Sequence, residues 1–240
     1  MLVWAILAYD ELDYVAKTVE RLRQCDKPIY VMCDVNSPEM LKEWLKLEEV
    51  EHSEYAFDGD YSKMRNELDN RVRALDRYDW ICQLDADELP AFNLVLEVEG
   101  IIRVANVNKI NVCRFNCYTD QIDKIDVPKL FNSFNTGKIY KIDTPWVVEP
   151  IEICPRIYRL DAGVRWQGKI HESPIDDKSI WSSLPIEYDF CLWHEKTPER
   201  QDMQNKKYEK YESHRILAAS LEEQNKWKDR MRARFWSDDE

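Results

Sequence analysis

The chain has 240 residues, 46 of them acidic against 34 basic, for a formal net charge of −12, and it holds only 5 glycines. The acid surplus argues against a broad polyanion-binding face, which needs clustered Lys and Arg. The glycines, at 59, 100, 137, 163 and 168, are too scattered to write the dinucleotide fingerprint G-x-G-x-x-G.

Leu2–Leu7 is a continuous apolar run, the pattern of a central parallel strand. Met1–Ala8 lacks the basic start and small-residue cleavage site of a signal peptide, so it reads as that buried strand. Leu12, Val15, Val19 and Leu22 recur at helical spacing, with Asp10 as N-cap. Pro28–Cys33 is a second strand ending at Asp34. Ser37-Pro38-Glu39 opens a second helix, with Ser at the N-cap and Pro at the first helical position. Val50–Tyr55 is a weaker third strand. Met64, Leu68, Val72 and Leu75 stripe a third helix, and Trp80–Leu84 makes a fourth strand. Repeated βαβ units predict an α/β fold with a mostly parallel sheet and right-handed crossovers.

The second half is less regular. Asn93–Val104 reads as helix, and Ile110–Tyr118, Arg156–Leu160 and Glu187–Trp193 read as strands. Residues 119–150, with Pro128, Pro145 and Pro150, read as an irregular lobe. From Pro198 onward Tyr208, Tyr211, Leu217, Leu221, Trp227 and Met231 recur at near-helical spacing, as in a helix packed on the domain surface.

Seven cysteines form no C-x-x-C pair, and Cys33 and Cys82 sit in apolar runs where a reduced thiol packs as a small hydrophobe. This speaks against a disulfide framework or a zinc ribbon and points to a reducing, cytoplasmic setting. No apolar run approaches the ~20 residues needed to span a bilayer. Gly163, Gly168 and Lys169 approach the phosphate loop G-x-x-x-x-G-K-[ST]. The match fails at Ile170, where a hydroxyl must stand, and Pro174 interrupts the helix that must follow. Any nucleotide is held here without a glycine-rich cradle.

The strongest chemical signal is Trp80-Ile-Cys-Gln-Leu-Asp85-Ala86-Asp87-Glu88, a hydrophobic strand delivering three carboxylates at its C-terminal end. In open α/β sheets that edge is where ligands bind. Asp85 and Asp87 are two apart, so extended backbone points both to one side. Carboxylates that close repel, and a divalent cation such as Mg²⁺ or Mn²⁺ relieves them while leaving positions for substrate phosphate. An acidic loop capping the next helix would give the same letters. About twenty residues earlier, Asp60-Tyr-Ser-Lys-Met-Arg65-Asn66 opens a helix whose free backbone donors, with Arg65, suit an anionic diphosphate.

The segment Asp60–Glu88 resembles the family 2 glycosyltransferases of the GT-A fold, in particular a subgroup with an Asp-x-x-x-x-Arg-Asn helix before a strand ending Asp-Ala-Asp-Glu. Further on, Arg156-Ile-Tyr-Arg159 and Val164-Arg-Trp166-Gln-Gly168-Lys-Ile-His171-Glu172 are similar to that subgroup's distal block. His194 falls where the subgroup has a late histidine. Tyr9-Asp10-Glu11 resembles its Tyr-Asn-Glu turn, and Asp34-Val-Asn-Ser37 a worn form of its Asp-x-x-Ser turn.

The resemblance implies inverting, metal-dependent transfer of a sugar from a nucleotide-diphosphate sugar to a hydroxyl acceptor. Asp34 would contact the base and Asp10 line the same pocket, with Asp60 and Asn66 also binding the nucleotide sugar and Arg65 near the diphosphate. Asp85 would face the ribose or the metal, Asp87 would bind Mn²⁺ or Mg²⁺ directly, and His194 would add a metal or phosphate contact. Glu172 is the expected base, with Trp166 and His171 on the acceptor side. It also implies a GT-A domain over 1–196, with a nucleotide-binding half at 1–90, an acceptor-side half at 91–196, and a helical extension at 197–240. A surface glycan, a lipid-linked glycan, a protein or a modified nucleobase remain open as acceptors. A nucleotidyltransferase or metal-dependent phosphohydrolase also uses clustered aspartates, although the glycine-rich loop of the former is replaced by Ala8-Tyr9-Asp10-Glu11. A non-catalytic binding module, with the acidic turn as decoration, is the third reading.

Overall fold

The computed structural model describes residues 1–117, 152–169, 172–176, 180–184 and 190–195. Contacts divide the chain into two units, Met1–Cys117 with Val148–Glu195, and Tyr118–Val147 with Lys196–Glu240. The second unit, including the expected irregular lobe and the C-terminal helix, lies outside the described residues.

The first half alternates strand and helix as its periodicity requires. Strands β1 (Leu2–Ala8), β2 (Ile29–Asp34), β3 (Glu51–Tyr55) and β4 (Trp80–Asp85) lie in the order β3-β2-β1-β4, all parallel. Helices α1 (Leu12–Gln24), α2 (Glu39–Leu47) and α3 (Tyr61–Ala74) make the crossovers. β1 is paired on both sides and buried throughout, which explains its unbroken apolar run. β3 is an edge strand of half-exposed residues, and its sequence signal is correspondingly weak.

The second half adds β5 (Glu88–Pro90), α4 (Phe92–Val104), β6 (Lys109–Cys117) and β7 (Glu152–Arg159), then β8 (Arg165–Gln167), β9 (Ser173–Ile175), β10 (Trp181–Ser183) and β11 (Cys191–Glu195). The sheet continues β4-β7-β6-β11-β5, with β7 antiparallel to both its neighbours. β10 and β11 follow one another along the same edge of β6. β7 begins earlier than the sequence suggests because Pro155, which cannot donate to a ladder, sits at a register shift against β6. The β8–β9 hairpin carries Gly163 and Gly168 near its start and turn, so that near-match to a phosphate loop is not a strand-to-helix loop.

On one face of the sheet Val3, Ala5 and Leu7 pack with Met64, Leu68 and Val72 of α3 and with Ile81, Tyr158 and Trp166. α3 is thereby pressed onto β4, β7 and β8, the elements that carry the site.

Two caps differ from expectation. The N-cap of α1 is Glu11, not Asp10. The Glu11 carboxylate accepts from the amides of Tyr9 (2.8 Å) and Asp10 (3.1 Å), so it closes the preceding turn. α2 starts at Glu39 with Pro38 as N-cap, one residue later than the Ser37 cap predicted. At the other ends, α1, α2 and α3 are each followed by a left-handed residue that is not glycine: Asp26, Glu49 and Asp76, with φ of 53°, 51° and 51°. α1 and α2 close with paired reverse bonds, Lys27 N–H to Leu22 O and Asp26 N–H to Arg23 O, then Val50 N–H to Leu45 O and Glu49 N–H to Lys46 O.

A β-carbon in this region costs about 1–2 kcal/mol. Glu49→Gly should therefore raise stability by up to about 1 kcal/mol in urea unfolding, the remainder being cancelled by glycine's freedom in the unfolded chain.

Candidate functional site

Burial of charge dictates the centre of the site. β4 delivers Asp85 and the chain turns to place Glu88 at the start of β5, 0% exposed. Glu88 Oε1 accepts from Arg156 Nη2 on β7 (2.5 Å) and from Arg114 Nη1 on β6 (3.0 Å). Its Oε2 accepts from the backbone amide of Asp85 at 3.0 Å. Asp85 is 31% exposed, and each of its oxygens meets a guanidinium: Oδ1 from Arg65 Nη2 at 2.6 Å and Oδ2 from Arg156 Nη2 at 2.7 Å. Burial alone would raise the Asp85 pKa, but Arg156, Arg65 and Arg114 outweigh it and hold the carboxyl well below its ordinary value.

Arg65, on α3 and 4% exposed, is the bridge between the halves of the chain. Its Nε donates to Glu172 Oε1 at 2.6 Å, and its Nη1 faces Gln83 Oε1 at 3.4 Å. The guanidinium lies 4.7 Å from the ring centre of Trp166, a cation–π stack. Glu172 is 13% exposed, and among the described residues its Oε2 has no hydrogen-bond partner.

A second polar pair lies beside this cluster. His194 Nε2 on β11 is 3.0 Å from Asp87 Oδ2. The antiparallel pairing of β11 with β5, which sets His194 opposite Glu88, brings the two together.

Other expected residues occupy different roles. Asp34 is buried at the end of β2, and its two oxygens accept from the amides of Asn36 (2.7 Å) and Phe57 (2.9 Å). It ties β2 to the segment before α3. Asp60 is the N-cap of α3, accepting from Lys63 N–H (3.2 Å) and Ser62 Oγ (2.7 Å). The amide of Tyr61 donates to Lys169 O (3.1 Å), so with Lys63 two of the first three amides of that helix already have partners. Asn66 exchanges two 2.9 Å bonds with the backbone of Trp166, clamping β8 to α3. Trp166 is buried, its indole N–H donating to Tyr158 OH at 2.9 Å, so it supports Arg65 from within. Asp10 is exposed beside the turn at the end of β1. His171 lies outside the described residues.

Sequence reasoning missed Arg114, Gln83 and Asp69. Arg114 interrupts the apolar alternation of β6, and Asp69 sits beside Leu68 in the buried stripe of α3, so each carried a signal: a charge where the pattern demands none.

Among the described residues no three His, Cys, Asp or Glu side chains group as a metal site. Asp87 and His194 fit a divalent cation as one carboxylate and one imidazole, the rest of its shell coming from substrate oxygens and water. Asp85 fits less well, both its oxygens being engaged by arginine.

No protein-family model matches the chain, and no curated protein does. Solved structures do. S. aureus TarS 1–349 in complex with UDP is similar with a TM-score of 0.53 at 13% identity, over 83% of this chain and 62% of that one. TarS 1–349 alone gives 0.52 at 12% identity over 81% and 60%, and its complex with UDP-GlcNAc 0.50 at 12% over 81% and 58%. The fold is GT-A. The chain spans about three fifths of those chains. Within this GT-A domain the charged cluster lies beyond the C-terminal end of β4, at the sheet edge where such folds bind ligands. Among the described residues no helix is long and apolar enough to cross a membrane.

Two measurements probe the electrostatics. Glu88→Gln should cost about 3–5 kcal/mol in urea unfolding, since it leaves Arg114 and Arg156 short of a buried counter-charge. Asp69 is 0% exposed, and burial lifts its pKa to about 6 against the hydrogen bonds from Tyr158 and Gln83. The native state then binds the extra proton between about pH 4 and 6, so this group's contribution to stability is complete below that window and falls as pH rises through it. Relative to Asp69→Asn, the wild type should lose about 2–3 kcal/mol from pH 4 to pH 7, and parallel pH profiles for the two proteins would refute it.

Proposed function

We propose that the protein is an inverting, metal-dependent glycosyltransferase that moves a sugar from a nucleotide-diphosphate sugar to a hydroxyl acceptor. The observation that carries the reading is the pairing, on a GT-A fold, of an arginine-held glutamate (Glu172) with an Asp87–His194 pair on the same edge of the sheet. The structures of TarS with UDP and UDP-GlcNAc support a uridine nucleotide as the first donor to test.

As the bond to the departing nucleoside diphosphate breaks, negative charge gathers on its phosphates. Asp87 and His194 would hold Mn²⁺ or Mg²⁺, which when bound would supply the compensating positive charge. Glu172 is the base. Its Oε1 is pinned by Arg65, which fixes the carboxylate, and its Oε2 takes the acceptor's hydroxyl proton as that oxygen attacks the anomeric carbon. Asp85 holds Arg65 from the other side, so the base and the acidic turn share one guanidinium. Asp10, exposed after β1, lines the nucleotide side. The acceptor is a hydroxyl of a glycan, lipid-linked glycan, protein or modified base.

Calorimetry with UDP and Mn²⁺ should show binding to the wild type and its loss in Asp87→Ala, with the melting temperature kept. Glu172→Gln should bind UDP as the wild type does, while release of UDP from UDP-GlcNAc falls about 10²–10⁴-fold. Undiminished turnover in Glu172→Gln removes it as the base. Release of pyrophosphate or sugar phosphate would favour nucleotidyl transfer or phosphohydrolysis instead.

A further inference from the structure

Asp69 has no task in the sugar-transfer reading, yet it lies at the root of the network that holds Arg65. It sits one helical turn beyond Arg65 on the same face of α3. Its Oδ1 accepts from Gln83 Nε2 on β4 and from Tyr158 OH on β7, each at 2.7 Å. Its Oδ2 is buried with no hydrogen-bond partner.

Those two bonds fix two arms that meet at Arg65. In the first, Gln83 Nε2 also donates to the Arg65 carbonyl at 3.0 Å, so both its protons face acceptors. The amide oxygen must then turn toward the guanidinium, where Arg65 Nη1 lies at 3.4 Å. In the second, the single Tyr158 proton goes to Asp69, which leaves the hydroxyl oxygen to accept from Trp166 Nε1 at 2.9 Å. The indole so held lies against the Arg65 guanidinium. An acceptor-only carboxylate at 69 sets the sense of every bond in both arms. The charged groups acting on Asp69 are Arg73 on α3 and Arg165 on β8. A buried carboxylate with one oxygen unmatched is a costly way merely to fill space.

We propose that Asp69 is a positioning residue for Arg65, and through Arg65 for Glu172 and Asp85. The proposal rests on the sugar-transfer reading only in giving Glu172 a chemical task, and the coupling of Asp69 to Arg65 stands without it.

The test uses the full chain, ¹⁵N-labelled, with the Arg65 Nε–H resonance assigned by Arg65→Lys. Exchange of that proton with water should quicken about tenfold in Asp69→Asn and in Tyr158→Phe, the factor set by losing one hydrogen bond of ordinary strength. The Nε–H of Arg71, bonded to Glu67 at 2.8 Å on the same helix, is the control and should not change. Equal quickening of both protons would mean that α3 has merely loosened, and no change at Arg65 would mean that the network ends short of it. Either result overturns the proposal. If Asp69→Asn does not fold, Tyr158→Phe, which deletes one hydroxyl, decides the matter. In the same samples kcat for UDP release from UDP-GlcNAc should drop about tenfold with KM within about twofold of the wild type. A wild type inert toward UDP-GlcNAc would count against that donor reading, while the exchange rates still decide the role of Asp69.

Discussion

Glu88 is a carboxylate with no access to solvent, and the need to match it organises the structure around the site. A carboxylate taken out of water alone is strongly unfavourable, so it must meet both cations and amide donors. Here the donors come from β7, β6 and the backbone of β4. Arg156 then spans Glu88 and Asp85, and Asp85 engages Arg65, which reaches Glu172. Three guanidinium groups balance three carboxylates, and each arginine except Arg114 serves two of them. The members act as a unit, since removing one leaves its neighbours with unmatched charge.

The same constraint positions the Asp87–His194 pair. Holding Glu88 inward fixes the three-residue strand β5, which is further tied to α1 through Thr18 Oγ1 to Glu88 O (3.3 Å) and Arg21 Nη1 to Pro90 O (3.0 Å). β5 in turn pairs with β11, and the amide of Ala91 donates to Cys191 O. His194 arrives beside Asp87 through that pairing. The acidic turn thus has a division of labour: Asp85 and Glu88 are held by arginine, and Asp87 meets histidine.

Much of this was legible in the sequence, for reasons that also mark where legibility stops. Period and length located β1, α3 and β4 within a residue or two, because each buries a continuous stripe. The cluster Asp85-Ala-Asp87-Glu88 stood out because three acids end an apolar strand. The ion pairs around it did not, since Arg65 and Glu172 lie 107 positions apart and Arg156 and Glu88 lie 68 apart. Local pattern also could not tell a ligand-facing side chain from one spent on the protein's own backbone. Asp34, Asp60 and Asn66 have the right chemistry for a nucleotide, yet Asp34 and Asn66 bond to the backbone of neighbouring segments and Asp60 caps its own helix.

The placement of scarce glycine follows the same logic. Three helices end in the left-handed region, where glycine is the usual residue, and all three do so with Asp or Glu. Gly163 closes the short 3-10 helix Leu160–Ala162 in the same region, and with Gly168 it brackets β8, at φ of 72° and 100°. β8 is the strand that Asn66 clamps to α3 and that carries Trp166 to the Arg65 guanidinium. A helix end tolerates a kilocalorie or so of backbone strain, because its reverse hydrogen bonds and packing absorb it. A side chain at Gly168, whose φ of 100° lies well beyond the values those Asp and Glu residues adopt, would strain the turn that follows β8, the strand that carries Trp166 to the Arg65 guanidinium.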